Sequence, residues 1–261
     1  MKKRVRPRHM ESALGLVPVA LFLIVWESTA RLKAFPGSFT FPPFSVVVTE
    51  FYHLTANGIL GKNFISSLIR VLVGLSSGAL AGIGVGVIMG WKDVVNKTLN
   101  PIASLFYPIP ALGWLPLLML WIGINEILPV TIIFICSFFP VVYNTATGIR
   151  NVDKKFVQAA ETLGASQIYI LFRVLIPLAL PNIFTGLRLE AGMAWRVLVA
   201  AEMIAIPTGI GALIMRAESL VRVDIILVCL IVLSVMCLLF ERFFLLLERY
   251  FIGEWSHGAR D

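Results

Sequence analysis

The sequence contains few charged residues for its length. Only 14% of its 261 residues are Asp, Glu, Lys or Arg, whereas 58% are hydrophobic. Soluble domains carry about 25% charged residues, because their surfaces face water. This composition excludes an ordinary soluble domain and indicates a chain that lies largely in lipid.

Cysteine and histidine are also scarce. The three cysteines, Cys136, Cys229 and Cys237, lie in apolar stretches and form no Cys-x-x-Cys pair, and the three histidines are scattered over the termini and one loop. Metal and redox sites need these residue types at close spacing. We therefore expect no metal site, and we interpret the cysteines as small core residues.

The sequence lacks a nucleotide-binding loop as well. Its nearest match, Gly61-Lys62-Asn63, has Ala56 in place of the leading glycine and lacks the final Ser or Thr. Without that loop the phosphates of a nucleotide have no backbone cradle. We expect this chain to bind no cofactor of its own.

Long hydrophobic runs are what the sequence has in abundance. A helix needs about 20 apolar residues to cross the hydrocarbon core, and helices satisfy their own backbone hydrogen bonds there. The alternating ten-residue pattern of membrane barrels is absent. The sequence therefore predicts an all-α, polytopic transmembrane helical bundle with six spans, at roughly 13–31, 66–90, 99–122, 127–148, 178–206 and 225–247.

Lysine and arginine are distributed unequally over the predicted loops, and cytoplasmic loops are the ones that carry the excess. One face receives Lys2, Lys3, Arg4, Arg6, Arg8, Lys92, Lys97, Arg150, Lys154, Lys155, Arg173, Arg242, Arg249 and Arg260. The other receives Arg31, Lys33, Lys62, Arg216 and Arg222. The bias predicts a multi-pass protein of the cytoplasmic (inner) membrane with both termini inside. The net charge of +7 then reflects topology in a lipid bilayer, and no nucleic acid partner is expected.

These boundaries define the predicted domains. A basic cytoplasmic N-terminus covers 1–12, a single transmembrane domain covers 13–248, and a cytoplasmic tail covers 249–261. Two longer outer connections, 32–65 and 207–224, are large enough to receive an external protein, although they could also be interfacial loops without a partner. Within 32–65, Phe44 to Leu54 is expected to form a short amphipathic helix.

The second span carries a glycine at every fourth position. Residues four apart share one helix face, and small residues allow close backbone approach in lipid. This strip is expected to pack within the subunit, or to serve a subunit interface or sliding surface. Its members are Gly74, Gly78, Gly82, Gly86 and Gly90.

The third span contains Pro108, Pro110 and Pro116. Proline removes a donor and clashes with the preceding turn, so the span should break or bend near its middle. Such breaks are tolerated where the backbone meets protein or a water-filled cavity. Pro110 and Pro116 are therefore candidate pathway residues, with a simple packing kink as the alternative.

Residues 150–177, here called the coupling element, are predicted to form two short helices rather than a simple loop. Asp153 can cap a helix that runs to Leu163, Gly164 suits its C-terminal turn, and Ser166 can cap a second helix. Each helix has an apolar stripe, namely Phe156, Ala159, Ala160 and Leu163, then Ile168, Leu171, Phe172 and Leu175. A helical pair like this fits a groove in a partner protein, or lies on the lipid headgroups.

The same segment resembles the EAA motif of ABC importer permeases. Ala159, Ala160, Gly164, Val174, Ile176 and Pro177 fall in register with that motif. Gln158 stands where the family usually has Glu, which keeps hydrogen bonding but loses a charge. The resemblance implies that Gln158, Ala159, Ala160, Glu161, Leu163, Gly164 and Pro177 couple this chain to an ATPase.

The resemblance extends over nearly the whole chain, and it is similar to the branch that serves nitrate, taurine and aliphatic sulfonates. It is carried by Ser67-Leu68-Ile69-Arg70, by Pro108 through Gly123, by Ala201-Glu202-Met203 and by Gly209-Ile210-Gly211. It implies a type I ABC importer fold and import of a small, anionic solute. It also implies two cytoplasmic ATP-binding subunits that hold ATP and Mg, a second permease copy forming a homodimer, and an extracytoplasmic binding protein.

Arg188, Trp195 and Glu202 are seven residues apart and so share one side of the fifth helix. Ionisable groups at membrane depth usually face protein or water. All three are candidate pathway residues, with Arg188 offering positive charge to an anion. In the alternative, Arg188 reaches the interface or pairs with a neighbouring helix.

Two other classes of protein remain as alternatives. An ion-coupled secondary transporter would account for the spans and the buried charges but not for the coupling element. An intramembrane enzyme would need a converged nucleophile, acid–base pair or metal set, and the sequence shows no catalytic residues of that kind.

Overall fold

The structure, a computed structural model, describes residues 8–32 and 41–252, with side chains from Val17 to Phe251. Within those ranges the chain is helical and contains no strand. The α-helices are α1 Arg8–Arg31, α2 Phe44–Ala56, α3 Ile59–Trp91, α4 Asp93–Phe106, α5 Leu115–Trp121, α6 Ile127–Arg150, α7 Lys154–Thr162, α8 Gln167–Ile170, α9 Ile176–Ala205, α10 Ile210–Ser219 and α11 Val223–Ile252.

Four described helices are long and apolar enough to cross a membrane. They are Ile59–Trp91, Ile127–Arg150, Gln167–Ala205 and Val223–Phe251, and a bent pair, Asp93–Phe106 with Ala111–Trp121, could form a fifth. These five coincide with the second to sixth predicted spans. The first predicted span falls on α1, and part of it lies outside the described side chains. The predicted helix at Phe44 to Leu54 is confirmed as α2.

The chain divides into two compact units. The first comprises Met1–Gly61 with Leu213–Ile231, and the second Lys62–Ala212 with Val232–Asp261. In the first unit, the indole of Trp26 donates to the carbonyl of Pro42 at 3.1 Å and contacts the rings of Phe22 and Phe44. Arg222 pairs there with Glu50 at 3.0 Å.

The second unit is organised around the contact between α3 and α6. An added β-carbon at Gly86 would lie 2.6 Å from Thr145 Cβ, and one at Gly74 would lie 2.7 Å from Ile133 Cβ. The other three glycines of the strip meet α6 in the same way, within 2.9 Å. All five therefore face a helix of the same chain, and any larger residue would hold the two backbones apart.

α6 packs on α9 through a second set of small residues. Added β-carbons at Gly148 and Gly186 would lie 2.7 Å from Asn182 Cβ and 2.9 Å from Asn144 Cβ. An apolar cluster of α5, α6 and α9 lies toward the C-terminal end of α9 and includes Leu115, Leu118, Leu128, Ile132, Val197, Ala201, Ala205 and Ile206. α6 is thus in close contact with α3 on one side and with α9 on another.

The predicted break in the third span is confirmed. α4 and the segment Ala111–Trp121 are bent by 86° at the break. Pro108 lies in the break, and Pro110 precedes the 3₁₀ turn Ala111–Trp114. Pro116 lies in the first turn of α5, where the missing N–H has no partner to lose, so it does not contribute to the bend.

The second outer connection differs from its predicted form. Residues 207–224 are mainly helical, because α10 occupies Ile210–Ser219. Gly209 has φ +108 and lies in the turn before α10, whereas Gly211 lies within α10.

Candidate functional site

The coupling element begins with α7, and its two ends are closed by local hydrogen bonds. The Asp153 carboxylate accepts from the backbone N–H of Lys155 at 2.9 Å, as the N-cap prediction requires. At the other end Ala165 N–H donates to Ala160 at 3.0 Å and Gly164 N–H donates to Glu161 at 2.9 Å. This is a Schellman turn, and it needs the left-handed conformation that Gly164 adopts with φ +78.

The second helix of the element starts as predicted and then departs from the prediction. The Ser166 hydroxyl accepts from the N–H of Tyr169 at 3.3 Å and caps α8. Leu171–Leu175 form a π-helical segment that leads directly into α9. Leu171 is buried, whereas Ile168 and Phe172 are exposed. The predicted stripe of this helix therefore does not form one face.

The predicted coupling residues lie together on an open surface. Leu163 is 88% exposed and Phe156 is 55% exposed, and Ala159 is also exposed. Gln158, Glu161 and Gly164 are exposed beside them, and Ala160 and Pro177 are half-buried. An apolar stripe on an exposed nine-residue helix is a feature of recognition surfaces.

The three candidates on α9 contact different neighbours. Arg188 lies 3.6 Å from the carboxylate of Glu248 on α11, and both side chains are half-buried. Trp195 is fully buried, stacked on Phe64 at a centroid distance of 6.3 Å and edge-on to Phe240 at 5.4 Å. This side of α9 thus packs against α3 and α11, and the contact of Arg188 matches the alternative in which it pairs with a neighbouring helix.

Glu202, the third candidate, is the centre of a buried polar cluster. Its carboxylate accepts from Arg70 Nη1 at 2.5 Å, from the Ser67 hydroxyl at 2.8 Å and from the Gly211 backbone N–H at 3.0 Å. A buried charge is tolerated when a counter-charge and hydrogen bonds replace its water. Glu202 meets both conditions.

Arg70 extends this cluster to the connection between α9 and α10. It pairs with Glu126 at 2.6 Å and donates to the Thr208 carbonyl at 2.9 Å. Asn63 accepts from Gly209 N–H, and the Ser67 hydroxyl accepts from Ile210 N–H, both at 2.9 Å. Residues 208–211 are therefore tied to α3. The segments 67–70, 201–203 and 209–211 are singled out in the sequence by resemblance, but their mutual contact is not predicted from it.

A cavity of about 370 Å³ lies at the break between α4 and α5. It includes Pro110 among its lining residues, together with Phe106, Tyr107, Cys136, Phe139 and Glu190. Pro116 is not part of the lining. Glu190 was not identified as a site residue from the sequence. The signal was present as an acidic residue in the middle of an apolar span.

A second, more polar cleft of about 360 Å³ lies between α4 and α6 near Arg150. Asn96, Asn100 and Ser104 supply its α4 side at intervals of four residues, and Tyr143 and Thr147 supply part of its α6 side. Tyr143 stacks on Tyr107 of the first cavity at a centroid distance of 5.3 Å. One lining residue of each space therefore contacts the other space's lining through this ring pair.

The sequence of this chain is similar to those of known membrane transport proteins. Residues 78–252 match the family described as "Binding-protein-dependent transport system inner membrane component". A putative ABC transporter permease protein of Methanocaldococcus jannaschii is 37% identical over 95% of this chain and 94% of its own length. The taurine transport system permease protein TauC of Escherichia coli is 34% identical over 90% of this chain and 87% of its own.

A third relative is the nitrate import permease protein NrtB of Synechocystis, which is 32% identical over 94% of both chains. Among solved structures, an amino acid ABC transporter crystallised with histidines aligns with a TM-score of 0.61 at 19% identity, over 76% of this chain and 97% of that one. The MetNI methionine ABC transporter, in an inward-facing conformation, aligns with a TM-score of 0.56 at 16% identity, over 71% and 94%. At these identities the structural likeness shows a common fold, that of type I ABC importer permeases.

Proposed function

This chain belongs to the family of binding-protein-dependent transport system inner membrane components, and from that premise we propose that it forms the translocation pathway of an ATP-driven importer. The solute is small and anionic, of the sulfonate, taurine or nitrate type. The names of two relatives, a taurine and a nitrate permease, support this class of solute.

The observation that carries the proposal is the exposed apolar surface of the coupling element. Phe156, Leu163 and Ile168 are each more than half exposed on a short, well-capped helical pair. Exposure of an apolar side chain such as Leu163 to water is unfavourable, and a partner's groove would remove that apolar surface from water. The partner is an ATP-binding subunit, which holds the ATP and Mg that this chain has no loop to bind.

The complete transporter, in this proposal, contains two copies of this chain, two ATP-binding subunits and an extracytoplasmic binding protein. The binding protein delivers the solute to the outer face, and both termini of this chain lie in the cytoplasm. Gln158, Ala159, Ala160, Glu161, Leu163 and Gly164 meet the ATP-binding subunit, and Pro177 directs the chain from the element into α9.

The connection between the element and α9 supports a mechanical role. α8, the π-helical segment and α9 run without a loop, so Gln167–Ala205 is one continuous helix. The same helix carries Glu190 at the cavity and Glu202 at the far cluster. A movement of the ATP-binding subunits would reach both places through a single continuous helix, as alternating access requires.

Reconstitution of the complete transporter in liposomes tests this function. We expect uptake of solute to require ATP on the side of the ATP-binding subunits, and to persist when ionophores collapse the ion gradients. A variant of the ATP-binding subunit that binds but does not hydrolyse ATP should abolish uptake. Uptake by this chain alone, driven by an ion gradient, would instead identify a secondary transporter.

A further inference from the structure

The cavity at the broken span contains a carboxylate that forms no ion pair with any residue in the described part of the chain. Glu190 is only 7% exposed and lines this cavity. Its hydrogen-bond partner is the thiol of Cys136, with Sγ 3.5 Å from Oε2. Among the described residues no lysine, arginine or histidine forms an ion pair with it, since the ion pairs there involve other carboxylates.

A second glutamate of the same helix has the partners that a buried carboxylate with a structural role requires. Glu202, twelve residues farther along α9, is fully buried and is matched by Arg70, Ser67 and a backbone N–H. A buried carboxylate without such partners is costly to fold. Glu190 is therefore poorly explained as a packing residue, and intramembrane ionisable groups of this kind mark solute pathways.

The remaining walls of the cavity are suited to a cation. Phe106, Tyr107 and Phe139 contribute aromatic rings, and the described lining contains no basic residue. Aromatic faces attract an ammonium group within about 6 Å of the ring centre. A bare inorganic anion would find no basic side chain among the described lining residues, and it would lie beside the carboxyl group of Glu190.

We infer that this cavity holds the ammonium end of the transported solute, and that Glu190 selects solutes carrying a protonated amine beside their acid group. Within the proposed function, on which this inference rests, the cavity selects, among small solutes with an acid group, those that also carry an ammonium group, as an amino acid or an aminosulfonate does. A volume of about 370 Å³ lies at the small end of the range of ligand pockets and matches a solute of a few carbon atoms.

Two probes that differ in one group test this inference. 2-Aminoethanesulfonate and 2-hydroxyethanesulfonate share the sulfonate and nearly the same length, and only the first carries an ammonium. Their binding is measured by titration calorimetry on the assembly of this chain with its ATP-binding subunits in nanodiscs, without the binding protein. The unmodified assembly should prefer the amine by about tenfold or more, because a charge-assisted contact is lost with the hydroxyl.

Three variants assign that preference to a residue. Glu190→Gln keeps the shape of the side chain and removes its charge, so the preference should fall to about threefold or less. Glu190→Asp keeps the carboxylate and should retain part of the preference, and unchanged binding of 2-hydroxyethanesulfonate by Glu190→Gln shows that the Gln variant is folded. Glu241→Gln, the same change at an exposed position of α11, should leave the preference unaltered.

Equal affinity of the unmodified assembly for the two probes, or no binding of either, would overturn the inference. A full preference in Glu190→Gln would do the same, since the selecting charge would then lie elsewhere. Failure at this level is separable from failure of the proposed function. ATP-dependent uptake in the reconstituted transporter would stand even if Glu190 made no distinction between the probes.

Discussion

At the scale of single residues, the ionisable groups of α9 differ in how the fold satisfies them. Glu202 has a buried counter-ion and three kinds of donor, Arg188 has one half-buried partner, and Glu190 faces a cavity. Their spacing along the helix does not distinguish them. The distinction arises from what α3, α6 and α11 place opposite each one, which is why helical periodicity alone grouped Glu202 and Arg188 as pathway candidates.

The Arg70–Glu202 pair gives a prediction at this scale. Arg70→Leu leaves the carboxylate of Glu202 buried without a counter-ion, and breaking such a pair costs about 3–5 kcal/mol. We expect a clear fall in the thermal unfolding temperature of the purified transporter. Arg196→Leu, at an exposed arginine of α9, is the control and should change it little.

A double variant sharpens that test. Arg70→Leu with Glu202→Leu removes both charges, so no uncompensated charge stays buried and stability should partly recover. If the double variant is as unstable as the sum of the two single variants, the pair is not the source of the loss.

At the scale of helices, close backbone approach organises the second unit. The glycine strip of α3 lets α6 lie against its backbone. Gly148 and Gly186 likewise allow α6 and α9 to approach closely. Lipid supplies no hydrophobic drive for helices to associate, so such contacts carry much of the packing. The break of the third span, at residues 107–110, is exposed in this chain and lines the cavity, and irregular backbone at membrane depth is tolerated where it lines such a space.

The strip gives a prediction at this scale with a control on the same helix. Gly86→Ala places a methyl group 2.6 Å from Thr145 Cβ, so α3 and α6 must separate. Overpacking of this kind costs about 1–3 kcal/mol. At Gly84 nothing lies within 4 Å, so Gly84→Ala should be neutral or slightly stabilising, because alanine favours helix more than glycine does.

Thermal unfolding of the two variants in one detergent measures that difference. Equal stability of Gly86→Ala and Gly84→Ala would show that the helices are not in the tight contact described here.

At the scale of the whole molecule, the proposed transport depends on one continuous helical link between the coupling element and the cavity. The Schellman turn at Gly164 fixes the angle between α7 and α8, and α8 continues into α9. A change in that turn should therefore disturb coupling more than it disturbs either the ATPase or the cavity.

Gly164→Val is the corresponding prediction. A β-branched residue is strained at φ +78, at a cost of about 1–3 kcal/mol. We expect ATP hydrolysis to continue while uptake falls, so that more ATP is consumed per solute molecule transported. Gly123→Val is the matched control, because Gly123 has φ +81 and equally open surroundings but lies between α5 and α6.

Both quantities are measured on reconstituted transporters of equal subunit composition. Tightly coupled uptake in a normally assembled Gly164→Val transporter would contradict a role for this turn in transmission.

Most elements could be predicted from the sequence, since their determinants are local. Apolar length gives the long helices, and Asp153, Ser166 and Gly164 close the ends of the coupling helices through neighbours two to five residues away. Prolines at 108 and 110 break a helix wherever it packs. The π-helical segment and the α10 helix were not predicted from the sequence.

The sequence by itself determined a helical membrane protein, its coupling element and the glycine face of α3, because spacing along a helix and the conformational limits of glycine and proline are properties of neighbouring residues. Only the tertiary structure decided that the strip faces α6, that Arg70 neutralises Glu202 and that Glu190 faces a cavity. Those facts depend on contacts between residues up to 132 positions apart, and the energy of a buried charge is set by what surrounds it.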